Sequence, residues 1–489
     1  MKKIFIAGQW KLGGGKAIKS HYPADHSENA DISTASSDDI HEAIVAADKA
    51  WRNPAWRSAL PSEKAAILFK AADLLEQKKT FLAKLQTRDN GKPITETTGL
   101  VNSAIATTRY IASSLETLDN ELTNQRIQSV LTFTTHEPLG VVAAITPWNS
   151  PIASEIQKIV PALAGGNAVI LKPAEATSLI ALELAAIFEE AGLPAGLFSV
   201  LTGKGSVVGE AIVKHPLVQK ISFTGSTSTG RHLAHVAAEK LISTSLELGG
   251  KSPTIVFEDA NIDIAVNGVI YGIFSSSGQA CIAGSRLFIH QNIYDQFLDA
   301  LIKKTKNIIV GDPEDSNTQM GPLISEDHLS TVEHYVNMAR DEGGNIVAGG
   351  QRLTGDAYDK GAYYAPTIIT GLKNDAQVCQ EEIFGPVLVV MPFSDEETLV
   401  AEANNSIYGL AAGIWTEDYR KAFDMAKRLE AGTIWINTYK KFSIATPFSG
   451  HKESGVGKEK GRLGILDYMQ TKSIFLNLDE APNPWCETK

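Results

Sequence analysis

Between residues 141 and 246, short apolar runs rich in β-branched residues alternate with helical stretches, and this alternation leaves the chain few folds to choose from. The runs fall at 141–145, 168–171, 198–201, 219–223 and 242–246. Helical patterns separate them at 152–163, 178–190, 207–214 and 227–239. Strands joined through helices run parallel, with the helices packed on both faces of the sheet. A doubly wound sheet of this kind takes its ligands beyond the carboxyl ends of its strands. The polar motifs stand at those ends: Trp148-Asn149, Lys172 to Glu175, Gly225-Ser226-Thr227, and Glu247.

The flanks carry different patterns. The first hundred residues read as a short strand pair followed by helices. Ser37 is placed to cap a helix whose inner face uses Ile40, Ile44, Ala47 and Trp51. Pro61 opens the next, with Ala65, Leu68, Ala72 and Leu75 inside. A third runs over 94–115. The stretch 124–137 alternates like a strand, has little core of its own, and is expected to pair with another subunit. A second α/β unit follows over 250–448, with strands at 253–257, 287–290, 387–391, 410–415 and 433–437, helices at 262–274 and 298–309, and loops at 311–321 and 343–350.

Composition bounds the function. A chain of 489 residues exceeds one ordinary core, so two or three domains are expected. Apolar residues at 43% and charged residues at 21% suit a soluble protein, and a net charge of −11 disfavours nucleic acid and acidic membranes as partners. No apolar run has the length of a membrane span, and the apolar stretch at the N-terminus is too short for a signal peptide, so the expected location is cytoplasmic. Cys281, Cys379 and Cys486 form no CxxC pair, and the eleven histidines form no HExxH cluster. These spacings fit a reducing compartment and a protein without metal.

The chemistry centres on Cys281, which lies in SSSGQACIAGSR, residues 275–286. Small neighbours leave a substrate room to reach the sulfur. A lone cysteine in a large chain is more often a buried structural residue. Glu247 lies 34 positions upstream and shifts the balance, because the two together offer a nucleophile and a carboxylate base. GSTSTG at 225–230 follows a strand and opens a helix. Its backbone N–H groups and the Ser226 hydroxyl suit a pyrophosphate, although a plain strand–helix turn reads the same way. Glu175 is placed to accept from both ribose hydroxyls of an adenosine and would repel a 2′-phosphate, which favours NAD over NADP; an exposed Lys172–Glu175 ion pair is the other reading.

Seven motifs together resemble the aldehyde dehydrogenase superfamily over essentially the whole length. They are EPLGVVAAITPWN at 137–149, LKPAE at 171–175, FTGST at 223–227, ELGGK at 247–251, GQAC at 278–281, EEIFGP at 381–386 and PF at 447–448. The resemblance implies a Rossmann-like dinucleotide-binding domain from 1–118 and 138–249, a catalytic domain from 250–449, and a small β oligomerisation element from 119–137 and 470–489. It implies Cys281 as nucleophile with a lowered pKa, Asn149 as oxyanion-hole residue, Glu247 as general base and Lys158 as a proton relay. It implies Lys172 and Glu175 at the adenosine ribose and Glu382 at the nicotinamide ribose. Phe384 would sit near the nicotinamide ring, and Trp148, Gly225, Ser226 and Leu248 in the rest of the cofactor pocket. Coenzyme-A-acylating relatives generally lack the base, so Glu247 points to the hydrolytic, acid-forming type.

The same resemblance turns Ser150, Gln157, Ser275, Phe442 and Phe448 toward the aldehyde. Three polar positions and an aromatic wall suggest a roomy pocket for a hydroxylated or aromatic aldehyde. A semialdehyde or amino-aldehyde, or a catalytically silent relative, are the competing readings. Lys440 and Lys441 lie in the adjoining loop and read as solvated surface residues before they read as ligands of an acidic substrate. Ser449, His451 and Lys458 depart from the usual residues, and Gln470 stands where some relatives carry a glutamate, which puts proton relay there in doubt. Segments 124–137 and 473–477 imply a homodimer or homotetramer.

Overall fold

The alternating runs become a parallel array in the computed structural model, which describes residues 1–479 and 485. Strands Phe198–Val200, Ala168–Lys172, Val141–Ile145, Val218–Thr224 and Ser243–Glu247 lie side by side in that order, each parallel to its neighbours. The central strands are buried on both faces, which is why they read as unbroken apolar runs instead of alternating ones. Short antiparallel strands close the edges, Ile4–Ile6 against Phe198–Val200 and Gly455–Val456 against Ser243–Glu247. The chain winds outward from Val141–Ile145 in one direction, then crosses to Val218–Thr224 and winds the other way. That reversal places a crevice between the loops that follow these two strands, and they carry Trp148-Asn149 and Gly225-Ser226.

A second sheet runs in the order Asn345–Ala348, Thr367–Thr370, Val387–Phe393, Arg286–His290, Pro253–Val256, Ala411–Trp415 and Thr433–Ile436. Only its first pair is antiparallel. The molecule is thus α/β with two largely parallel sheets. Among the described residues no helix is long and apolar enough to cross a membrane.

Several boundaries differ from expectation. The first long helix spans Ser37–Arg52, but its cap is Ser36, whose hydroxyl accepts from the Asp39 N–H while Asp39 answers the Ser36 N–H. The expected helix at 298–309 is Tyr294–Thr305, because the apolar pattern continues past the last helical turn into a turn and a loop. The loop at 343–350 contains strand Asn345–Ala348, short and flanked by glycines that masked it. Helix Glu326–Asp341, capped by Ser325, was not anticipated. The stretch expected to pair with another subunit has a partner within its own chain: Val130–Pro138 lies antiparallel to Met469–Asn477 over nine residue pairs. Cys486 and the expected oligomerisation residues at 480–484 and 486–489 lie outside the described residues.

Candidate active site

Helix Ile262–Phe274 delivers the chain to a tight turn just before Cys281. Ser276, Ser277 and Gly278 are all left-handed, with φ of 60°, 55° and 71°. For the two serines this costs about 1–3 kcal/mol each, so the surroundings must impose it. They do so at each residue. The Ser276 N–H donates to the Glu96 carboxylate at 2.8 Å, and its hydroxyl donates to the other Glu96 oxygen. The Ser277 hydroxyl donates to the Gly321 carbonyl at 2.8 Å. A Cβ on Gly278 would meet the Gly385 carbonyl oxygen at 2.0 Å. Glu96 gave no signal in the sequence, since a glutamate in the first turn of a helix is ordinary.

Two further segments close on this turn. The Asn149 side-chain amide donates to the Gln279 carbonyl at 3.0 Å, two residues before the sulfur. A Cβ on Gly250 would stand 2.3 Å from the Cys281 carbonyl oxygen, so only glycine lets the end of strand Ser243–Glu247 come this close. Glu247 is buried there, with one carboxyl oxygen lacking any hydrogen-bond partner among the described residues. Burial pushes its pKa well above the usual carboxylate range, and Glu459 adds to the rise against the opposing pull of Lys158, Lys460 and Lys458. Lys158, fully buried, donates to the Ser222 hydroxyl at 3.2 Å and forms an ion pair with Glu459.

The sulfur itself departs from expectation. Cys281 reaches the cleft in part, yet the protein packed around it pushes the thiol up to about 12, with Glu382 and Glu247 adding to the rise. The Ile282 N–H and Lys440 oppose this. The expected lowered pKa is therefore not a property of this resting state. Desolvation outweighs the local donors.

From Cys281 a cleft of about 1200 Å³ runs along the strand ends to Glu175, lined by Asn149, Trp148, Lys172, Gly225, Ser226, Leu248, Glu382 and Phe384 among others. Its shape suits a long ligand with an anionic middle. Ser226 caps helix Thr227–Lys240, and the open N-terminus of that helix faces the cleft. A Cβ on Gly225 would stand 2.4 Å from the Phe223 ring, so the wall stays flat there. At the far end Glu175 accepts from the Gly205 N–H at 3.0 Å, and Lys172 is buried, which lowers its pKa to about 8. At the near end Glu382 accepts from the Gly250 N–H at 3.0 Å, with burial raising its pKa to about 7. Phe384, left-handed at φ 58°, meets the Trp148 ring edge-on at 5.2 Å. His328 holds it in place: burial lowers the imidazole pKa, and Nε2–H donates to the Phe384 carbonyl at 2.8 Å. His328 sits on the unanticipated helix, so the sequence reading missed it.

On the other side of the sulfur, Phe442 and Phe448 meet edge-on at 5.6 Å, and Phe448 packs in the same apolar cluster as Cys281. Ser275 donates to the Tyr271 carbonyl at 2.6 Å. Ser150 and Gln157 stand on the part-exposed side of helix Pro151–Ala164 and its cap. Lys441 is exposed, whereas Lys440 turns inward and donates to the Ser275 hydroxyl at 2.8 Å. Residues 10–474 match the model of the aldehyde dehydrogenase family.

The chain belongs to the aldehyde dehydrogenase family. It is 39% identical over 484 residues to DhaS of Bacillus subtilis (strain 168), covering 98% of this chain and 96% of that protein. An aldehyde dehydrogenase from Bacillus cereus, solved as an NAD+ complex, superposes with a TM-score of 0.95 at 38% identity, covering 98% of this chain and 97% of that one. A betaine aldehyde dehydrogenase from Staphylococcus aureus, also solved with NAD+, superposes with a TM-score of 0.98 at 34% identity, covering 100% and 97%. Family membership makes this chain an oxidoreductase of aldehydes.

Two departures from the aldehyde dehydrogenase pattern find an explanation. Lys458 donates to the Ser449 hydroxyl at 2.8 Å, so these two unusual residues form one contact. Gln470 pairs with Glu137 in the β ribbon. The buried glutamate beside Lys158 is Glu459, which the sequence reading passed over.

Proposed function

We propose that this enzyme converts an aldehyde to its carboxylic acid with NAD, through a thioester on Cys281 that water hydrolyses. The observation that carries this reading is the convergence of Cys281, the Asn149 amide and the buried Glu247 carboxyl at one end of a cleft suited to a dinucleotide. In this reading the unit built on the first sheet is the cofactor domain. Glu175 and Lys172 take the adenosine ribose, the helix start at Ser226 takes the pyrophosphate with Gly225 and Leu248 beside it, and Glu382 takes the second ribose. Phe384 and Trp148 confine the nicotinamide. Glu175 repels a 2′-phosphate, so NADP binds less well. The relatives solved with NAD+ support the same choice.

Cys281 loses its proton to Glu247 or water, and its sulfur bonds to the aldehyde carbon. The second Asn149 amide hydrogen and the Cys281 N–H stabilise the oxyanion. A bound NAD would supply the hydride acceptor there, and a thioester on Cys281 would remain. Glu247, once ionised, takes a proton from water with its unpartnered oxygen. The hydroxide oxygen then bonds to the acyl carbon as the carbon–sulfur bond breaks, and Lys158 with Glu459 carries the proton away. A coenzyme-A-acylating enzyme needs no such base. Ser150, Gln157 and Ser275 opposite Phe442 and Phe448 suit a hydroxylated or aromatic aldehyde in preference to a short alkyl one. The β ribbon is read as the contact that makes a homodimer or homotetramer. Aldehyde-dependent NADH formation by the purified enzyme tests the reading. It should vanish in Cys281→Ala; absence in the wild type across a broad aldehyde panel would instead support a silent relative.

A further inference from the structure

The substrate side of the cleft holds more positive charge than aldehyde oxidation requires. Lys92, Lys440 and Lys460 are all electrostatic neighbours of Cys281. Lys92 is accounted for, because its ammonium stands 3.8 Å from the Glu96 carboxylate. The other two have no carboxylate within 4.0 Å among the described residues. Lys440 Nζ has the Ser275 hydroxyl at 2.8 Å and the Tyr271 ring at 5.9 Å. Lys460 Nζ lies 3.9 Å from the centre of the Phe442 ring and 5.3 Å from that of Phe448.

Neither lysine is there by slack in the chain. Both are left-handed, Lys440 at φ 53° and Lys460 at φ 61°, a region that favours glycine. The backbone thus holds each stem in a set direction, toward the turn before Cys281 and toward the aromatic wall. Both are half-buried, and an ammonium drawn partly out of water without a counter-charge of its own is unfavourable. Aromatic faces and a hydroxyl compensate in part. The carboxylates that do act on them are shared: Glu96, the neighbour of Lys440, already serves Ser276 and Lys92, and Glu459, the first neighbour of Lys460, is paired with Lys158, while burial pushes Glu247 toward its neutral form.

We propose that the substrate supplies the further counter-charge: an aldehyde bearing a carboxylate at its far end, held by Lys440 and Ser275, with Lys460 supplying field across the Phe442–Phe448 wall. The substrate is then of the semialdehyde or formylbenzoate class. A cationic amino-aldehyde is repelled by the same two charges. This rests on the aldehyde-oxidising reading above and narrows it.

The test compares kcat/KM for matched pairs by NADH formation: 4-carboxybenzaldehyde against benzaldehyde, and glutaric semialdehyde against pentanal. The wild type should prefer the carboxylated member by about tenfold or more, the equivalent of one charge-assisted contact. Lys440→Met should erase most of that ratio, Lys440→Arg should keep it, and Lys460→Met should reduce it. Added salt should shrink it in the wild type. Equal or reversed preference in an enzyme that oxidises benzaldehyde, or a ratio unmoved by Lys440→Met, would overturn the inference and leave aldehyde oxidation intact. No NADH from any aldehyde would instead remove the reading beneath it.

Discussion

Glu96 has no reacting atom near it, yet both its oxygens are committed to Ser276 and through it to the left-handed turn before Cys281. Glu96→Ala removes two charge-assisted hydrogen bonds from a turn that is unfavourable by itself. The expected result is a fall in kcat of about tenfold or more, equivalent to about 1.4 kcal/mol, with partial rescue by Glu96→Gln; steady-state kinetics on both variants decide it. The thiol offers a second test at this scale. With its pKa pushed up to about 12, Cys281 carries little thiolate at neutral pH in the cofactor-free enzyme. Glu382 is the larger of its two anionic neighbours and titrates near 7, so it opposes ionisation of the thiol chiefly above that pH. Glu382→Gln should therefore speed iodoacetamide labelling of Cys281 above about pH 7.5 and change it little at pH 6. Mass spectrometry of the labelled peptide measures both; equal rates across that range would contradict the electrostatic account.

Among the elements, helix Pro151–Ala164 carries the clearest internal conflict. Glu155 is fully buried in it, and neither carboxyl oxygen has a hydrogen-bond partner among the described residues. Burial, reinforced by the nearby Asp89, raises its pKa well above the usual value. In the folded state this acid keeps its proton where the unfolded chain has lost it. Stability therefore falls as pH climbs from the unfolded value near 4.5 toward the higher folded one. Glu155→Gln removes the titrating group, so it should raise the unfolding temperature more at pH 8 than at pH 5. Each unit of pKa shift is worth about 1.4 kcal/mol. Thermal scans at the two pH values check this. Gly250 marks the opposite case, an element end that tolerates no side chain. Gly250→Ala would press a methyl group onto the Cys281 carbonyl, costing about 1–3 kcal/mol or displacing the Cys281 sulfur. Activity should fall further than thermal stability does.

At the scale of the molecule, the ribbon of Val130–Pro138 and Met469–Asn477 stands off both sheets and leaves Phe475, Leu476 and Leu478 exposed, with Leu122 and Ile127 nearby in sequence to its first strand. Exposed apolar side chains on a two-stranded ribbon call for a cover. If a second copy provides it, Phe475→Asp with Leu476→Asp should shift light-scattering mass toward the monomer. An unchanged mass would place the subunit contact elsewhere.

The sequence alone determined the parallel sheet around residues 141–246 and the three segments that meet at Cys281, because local periodicity and short motifs are written residue by residue. It also carried the first helices nearly to the residue, where Pro61 and the 94–115 pattern mark their own ends. What it could not carry were relations between residues far apart in the chain. Glu96 and Ser276 are 180 positions apart and Lys158 and Glu459 are 301, and neither pair leaves a mark at either end. The raised thiol, the neutral tendency of Glu247 and the inward turn of Lys440 depend on how much protein surrounds each charge. Packing supplies that environment, and only the folded chain decides it.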